Sequence, residues 1–340
     1  MYNVLGIKWW VYRGKTYMKS KIHKSALYIL GFIAFEAVFC SILAFILILY
    51  GPFNNIKENY VTTAMATLNH QYLATTFLSK EEINEILLKS SFDFESERED
   101  INGVKIKEGQ TSDEIKLVEV SSERFKGHIL IVDNPKRIKV GLSSTLGKGG
   151  ITLSSIVKNY EALGGVNAGG FGDANLVGTG GKPNGIVVED GEIKYKEEGM
   201  SSFSIVGFDK DDKLIVGGNY NEADMKKYNI RDAVSFGPAL IINGKTMIKK
   251  GNGGMGINPR TAIGQTQDGK VLLLVIDGRR EDSLGATLKD VQNILLKYGA
   301  YNASNLDGGS STTMVYDNKL INKPSDILGE RSIPSAFIIK

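Results

Sequence analysis

Apolar and polar positions divide the chain into three stretches. The first is Ala26 to Tyr50, "ALYILGFIAFEAVFCSILAFILILY", 25 residues with a single charge, Glu36. A helix needs about 20 apolar residues to cross a bilayer core, whereas a cleavable signal peptide has a shorter apolar core and a small-residue cleavage site. This run ends in "YGPFNN" without an A-x-A site, so it predicts one N-terminal transmembrane helix, an uncleaved signal anchor. The second stretch, 51–125, is mostly polar. Residues 54–78 predict a juxtamembrane helix, and "SKEEINEILLKS" predicts another, with Ser79 and Glu82 spaced as a capping box. Residues 91–125 are charged and poor in aromatics, which predicts a partly disordered spacer.

From Lys126 the period changes. "GHILIVD" and "RIKVGLS" alternate as strands, and "TLSSIVKNYEAL" predicts a helix that stops at Gly164-Gly165. Hairpins follow around Asp190-Gly191, within "FSIVGFDKDDKLIVGG" and around Asp268-Gly269, and "SFGPALIINGKTMI" supplies two more strands. "TLKDVQNILLKYGA" places Leu288, Val291, Leu295 and Leu296 on one helix face. "ASNLDGG", "TTMVYDNKLIN" and "AFIIK" close the chain. Many hairpins with few helices predict an α+β domain with mixed or antiparallel sheets. The expected organisation is therefore a basic N-terminus over 1–25, the anchor over 26–50, juxtamembrane helices and spacer over 51–125, and a catalytic domain over 126–340.

Charge orients this arrangement. Lys8, Arg13, Lys15, Lys19, Lys21 and Lys24 give the first 25 residues +6 with no acid, while residues 51–340 carry 35 basic and 37 acidic side chains. A positive flank stays cytoplasmic, so the C-terminal domain is expected outside the cell membrane. Met18 offers a second start within the basic segment. Net charge of +3 gives no sign of a nucleic-acid partner. The single cysteine, Cys40, lies in the anchor, so the outer domain has no disulfide, and a bacterial cell surface is expected over a secreted eukaryotic setting.

The candidate chemistry sits in the glycine-rich loops. Asp307 ends a short apolar strand and precedes Gly308, Gly309 and Ser310. Such a stretch offers amides and hydroxyls without bulk, suited either to a tight turn or to a backbone that an anion approaches. Asn167 precedes Gly169 and Gly170, Arg260 heads a strand in "NPRTAIG", Asp277 and Arg279 share "VIDGRRED", and Glu330 with Arg331 precedes the last strand. Arginine forks suit phosphate, and paired carboxylates suit glycosidic cleavage. The outer domain has no cysteine and no G-x-x-x-x-G-K-[ST] loop, and of its histidines His70 falls in the stalk and His128 stands alone in a strand. A zinc site or P-loop is therefore not expected, no cofactor is called for, and calcium on Asp and carbonyl oxygens is the one metal left open.

Taken together, "GGVNAGGF", "NPRTAIG", "LLLVIDGR", "GATLKDVQNILLKYGAYNASNLDGGSSTTMVYDN" and "ERSIP" resemble the phosphodiester glycosidase family over about residues 130–340, with five motifs in order. The N-terminal anchor and "TTAMATLNHQYLATTFLS" resemble its bacterial, membrane-anchored, exopolysaccharide-associated members. The chain departs from eukaryotic members in lacking disulfides. The resemblance implies cleavage of a sugar from a phosphodiester at the anomeric carbon. It also implies that Asn167, Gly169, Gly170, Arg260, Asp277, Arg279, Asp307, Gly308, Gly309, Ser310, Glu330 and Arg331 line one cleft. Asp307, Asp277 and Glu330 would be its catalytic carboxylates, and the partner would be a sugar phosphate or a surface polysaccharide. The alternatives are a non-catalytic module that binds polysaccharide during exopolysaccharide synthesis and a transferase that moves sugar phosphates onto a wall polymer.

Overall fold

The computed structural model describes residues 3–66, 70–89, 103–106, 112–172 and 179–340. Much of the stretch read as a disordered spacer, and Asp173 of the loop after Asn167, lie outside the described residues. Two units separate, Met1–Lys57 and Glu58–Lys340. The first is dominated by helix Asn3–Tyr50. Its segment Ala26–Tyr50, with mean hydropathy 2.7, is long and apolar enough to cross a membrane by length and composition.

The second unit is α+β with antiparallel sheets. A seven-stranded sheet runs in the order Ile115–Ser121, Lys126–Val132, Val271–Ile276, Arg260–Thr266, Ala300–Leu306, Ala239–Ile242, Lys245–Thr246. A five-stranded sheet is ordered Leu214–Tyr220, Phe203–Asp209, Ile230–Val234, Ile186–Glu189, Glu192–Lys196. A second five-stranded sheet is ordered Lys319–Leu320, Met314–Tyr316, Gly164–Asn167, Ser335–Ile339, Ile138–Leu142. Inward faces of all three meet in one core, where Leu130, Ile263 and Leu273 pack with Val206, Phe208 and Val234 and with Val140, Val166 and Phe337. Phe208 and Phe337 meet edge to face at 6.2 Å, a preferred aromatic geometry.

Helices cover the outer faces. Leu288, Val291 and Leu295 of helix Leu288–Lys297 seal Ile129, Leu272, Leu274 and Ile276. With both faces covered, strand Val271–Ile276 is buried throughout. This explains why its sequence is an unbroken apolar run rather than an alternation. Leu296 does not share the buried face and is 43% exposed. Thr287 and Asp290 close a reciprocal capping box at this helix's start.

Three expectations change. The hairpin Ile115–Ser121 with Lys126–Val132 is paired in register from Ile115↔Val132 to Ser121↔Lys126. The globular part therefore begins before residue 126, and short-range composition hid an edge strand that alternates polar and apolar positions. Helix Leu153–Asn159 ends before the glycines, with Glu161 at φ 49° just beyond it. Gly164 and Gly165 instead open a buried strand, where a Cβ at either would come within 2.4 Å of a carbonyl oxygen on the neighbouring strand. The helix predicted over 54–78 is broken into Asn54–Met65 and Tyr72–Thr75.

The segment read as a stalk is anchored to the globular fold from Glu58 on. Asn252 is buried; its amide N–H donates to Glu58 Oε1 at 2.8 Å, and its carboxamide to Asn59 Oδ1 at 2.8 Å and Thr62 Oγ1 at 3.0 Å. Gly256 (φ +58°) packs so closely that a Cβ there would lie 2.4 Å from the Thr63 backbone. Losing buried hydrogen bonds costs about 1–3 kcal/mol. Asn252→Ala is expected to lower unfolding stability by about that amount, measured by denaturant titration; an unchanged midpoint would show that this helix is held elsewhere.

Candidate active site

Strands Val271–Ile276 and Ala300–Leu306 flank strand Arg260–Thr266, each antiparallel to it, with Arg260↔Ile276 and Thr261↔Leu306 paired. The outer two strands therefore run parallel, and Asp277 and Asp307 leave the sheet at the same end. Strand Gly164–Asn167 of a neighbouring sheet ends beside them. Asn167, fully buried, donates through Nδ2 to the Asp307 carbonyl at 2.6 Å. Its Oδ1 accepts from Thr261 Oγ1 at 2.8 Å and from the Thr313 amide at 3.0 Å. The Asp307 amide donates to the Ala168 carbonyl at 3.0 Å. Both backbone groups of Asp307 are thus pinned to the segment after Val166.

The Asp307 carboxyl is pushed up to about 6, first by burial, against the opposing effects of a hydrogen bond from Ser311, the Arg331 charge and the Gly308 amide. Arg331 donates to Ser310 Oγ at 3.1 Å and lies over the Phe171 ring, 5.0 Å from its centroid. Arg279 adopts φ +58°, which turns its side chain back across the loop, where Nη2 donates to Asn258 Oδ1 at 3.1 Å. Burial and then the Arg331 charge hold the Arg279 guanidinium below its ordinary value. The Arg331 charge thus acts on both the partly buried Asp307 carboxyl and the Arg279 guanidinium.

The glycines after Asp307 are required by the protein itself. A Cβ at Gly308 would stand 2.9 Å from the Pro259 carbonyl, and one at Gly309 would stand 3.2 Å from Arg279 Nη2. Gly309 also has φ +61° and donates its amide to Pro259 O at 2.9 Å. Gly170 is similarly confined, 3.0 Å from the Phe236 ring by the same measure, and the Gly169 amide donates to Ser335 Oγ at 3.2 Å.

Three residues expected in the cleft have other partners. Arg260 is 4% exposed and donates to the carbonyls of Ala286, Met255 and Gly256. Burial, then Arg279, presses its guanidinium down to about 9. It braces the 255–256 loop from within the fold. Asp277 is 6% exposed and its Oδ1 accepts from Asn322 Nδ2 and from the Lys323 amide, both at 3.0 Å. Glu330 accepts from the amide and hydroxyl of Ser154 at the start of helix Leu153–Asn159, a favourable place for a carboxylate. Among the described residues no group of three or more His, Cys, Asp or Glu is disposed to hold a metal ion.

Ser311, Phe171, Asn258 and Pro259 were not singled out from sequence. Each lies inside a quoted motif ("GGSST", "AGGF", "NPRTAIG"), so composition marked the loops while the fold selected the members.

A family model described as phosphodiester glycosidase matches residues 160–340. An uncharacterized SPbeta prophage-derived protein, YomE, of Bacillus subtilis is 29% identical over 196 residues, 55% of this chain and 29% of its own length. The N-acetylglucosamine-1-phosphodiester alpha-N-acetylglucosaminidase of Bos taurus is 43% identical over 70 residues, 21% of this chain and 13% of its own. The matches span less than a third of the length of these curated relatives. The catalytic domain of the zebrafish N-acetylglucosamine-1-phosphodiester alpha-N-acetylglucosaminidase, auto-inhibited by its pro-peptide, superposes with TM-score 0.56 at 23% identity, covering 69% of this chain and 86% of that one. This superposition shows a shared fold.

Asn167→Ala would strip buried partners from Asp307, Thr261 and Thr313. We expect a stability loss of roughly 2–4 kcal/mol, read by thermal or denaturant unfolding, where a loss below 0.5 kcal/mol, the ordinary range for a surface substitution, would contradict the bracing role.

Proposed function

The chain belongs to the phosphodiester glycosidase family, and from that premise we propose that it hydrolyses a sugar joined through its anomeric carbon to a phosphodiester, with Asp307 as the catalytic carboxylate. The observation that carries this reading is one carboxyl raised by burial beside two guanidinium groups, Arg279 and Arg331, the second of whose charge helps to hold the first below its ordinary value. A phosphodiester anion between them would relieve that repulsion.

In the proposed reaction the bond from the anomeric carbon to the bridging oxygen breaks, and its electron pair stays on the phosphate oxygen. Arg279 and Arg331 neutralise the departing phosphate, so little leaving-group protonation is needed. Water supplies the new bond to carbon. It either transfers its proton to Asp307 directly or hydrolyses a glycosyl ester formed first on Asp307. Both routes start from the ionised carboxylate. Asn167 fixes Asp307, while Arg260, Asp277 and Glu330 act as positioning residues for the surrounding loops.

We further propose that Ala26–Tyr50 anchors the enzyme in a bacterial cell membrane with the N-terminus inside, and that the substrate is a glycosyl phosphate of a cell-surface polysaccharide. The +6 flank supports the orientation. External protease on intact cells should remove the C-terminal domain and leave a membrane stub; complete protection would reverse the orientation.

Asp307→Asn, assayed on the full-length chain in detergent with sugar-1-phosphodiesters, should lower turnover by roughly 10⁴-fold. The raised carboxyl means the folded state holds its proton more tightly than the unfolded chain does. That group's contribution to stability is therefore full below the unfolded value and is lost as pH rises through about 6. The Asn variant should then melt no lower than the parent at neutral pH. Near-normal turnover in a folded Asn variant would remove Asp307 from the chemistry.

In the parent, kcat/KM should rise with pH and level off above about 6, because the free enzyme must be ionised. Arg331→Gln, by removing a charge that favours the carboxylate, should move that limb upward. A falling limb in the same window would make Asp307 an acid.

A further inference from the structure

A cavity of about 530 Å³ lies beside the Asp307 cluster, with Gly170, Asn184, Glu197, Met200, Phe236 and Met255 in its lining. Hydrogen bonds tie its lining to residues next to the cluster. Gly170 stands between Ala168, whose carbonyl holds the Asp307 amide, and Phe171, which carries Arg331. The Met255 carbonyl accepts from Arg260 and from Asn258, the residue that holds Arg279. Gly237 and Pro238, also in the lining, accept hydrogen bonds from Asn305, two residues before Asp307 on the same strand.

The arginine end and the cavity end of this neighbourhood differ in chemistry. The Arg279–Arg331 end is cationic. The cavity presents Phe203 and Phe236, two methionines, a carboxamide and the Glu197 carboxylate, one oxygen of which accepts the Gly185 amide at 2.6 Å. A phosphodiester is drawn to the first end and repelled by Glu197 from the second. A neutral pyranose suits the second end. Its C–H face can lie on Phe236 and the methionines, while its hydroxyls donate to Glu197 and pair with Asn184.

The geometry points to this cavity as the glycosyl subsite: the sugar ring that is released sits on Phe236 and Glu197, its anomeric carbon reaches Asp307, and its phosphate reaches the arginines. This assignment rests on the proposed function for its substrate class and adds the orientation and the residues that select the sugar. It makes Glu197 and Phe236 specificity determinants, and it directs the rest of the phosphodiester out past the arginines, away from the cavity.

Binding can be separated from turnover by titrating full-length protein in detergent, by calorimetry, with N-acetylglucosamine, glucose, galactose and mannose, and independently with inorganic phosphate. Phe236→Ala and the near-isosteric Glu197→Gln are each expected to weaken the best-bound sugar by about tenfold or more and to leave phosphate affinity within about twofold. Arg279→Ala should do the reverse. Unfolding midpoints are recorded for every variant, and Glu197→Gln retains an acceptor for the Gly185 amide should Phe236→Ala fold poorly. Unchanged sugar affinity in folded Glu197→Gln, an equal loss of phosphate affinity, or no saturable sugar binding by the parent would overturn the assignment. Sugar binding with this pattern in a protein that hydrolyses no sugar-1-phosphodiester would instead overturn the hydrolase reading and leave the subsite standing.

Discussion

The arrangement depends on one buried carboxamide. Asn167 uses both ends of its side chain to tie the Asp307 carbonyl, the Thr261 hydroxyl and the Thr313 amide together. Thr261 lies on a strand of the seven-stranded sheet, Asp307 just beyond the adjacent strand, Thr313 in the loop after the glycines, and Asn167 itself in a neighbouring sheet. A carboxamide can do this because it donates and accepts at once and carries no charge. Aspartate would face the Asp307 carbonyl with an acceptor and bring a buried charge, and an apolar residue would leave three polar groups unpaired. The bracing fixes the Asp307 backbone, so the position of its carboxyl follows from the sheet packing rather than from the loop.

Around that fixed point the electrostatics are deliberately unfavourable. Burial raises the Asp307 carboxyl, and burial and then the Arg331 charge weaken Arg279 as a cation. Neither effect helps the fold, and Arg279 in addition takes a backbone conformation uncommon outside glycine, at φ +58°. Folding tolerates these costs because the three sheets around the site share an extensive apolar core. An anion that neutralises the arginines removes much of the tension, which is the form a preorganised site takes when it stabilises charge developing during a reaction.

The sequence carried a good deal of this, unevenly. Hairpins at Asp190-Gly191 and Asp268-Gly269 were legible because turn chemistry and alternation are local. So was the helix at Leu288–Lys297, whose period and cap agree. Strand Ile115–Ser121 was not, because only its pairing with Lys126–Val132 distinguishes it from a polar spacer. At the site, the loops were marked by glycine, carboxylate and arginine. The division of labour among them was not, since a buried Arg260 and an exposed Arg279 look alike until burial is known. The glycine motif was legible as a turn or as a place for a ligand, and the packing adds a use within the protein. Gly308 and Gly309 make room for Pro259 and Arg279 before they make room for any ligand.

The same distinction changes the meaning of the segment after the apolar helix. Asn252 and Gly256 fasten residues 58–63 to the glycine-rich 252–257 loop. Arg260 then grips the Met255 and Gly256 carbonyls from beneath, and Asn258, the residue directly after the loop, meets Arg279. A continuous set of contacts thus runs from the Glu58–Met65 part of the helix to a guanidinium of the candidate site. A spacer would be indifferent to sequence so long as it stayed polar. This segment instead must keep Glu58, Asn59, Thr62 and Thr63 in helical register, because each meets a fixed partner on a loop that glycine alone allows to come so close. The loop has little regular structure of its own, so its conformation is imposed from both sides. The wall bearing Arg279 is therefore built jointly by the C-terminal motifs and by a helix almost 200 residues earlier in the chain.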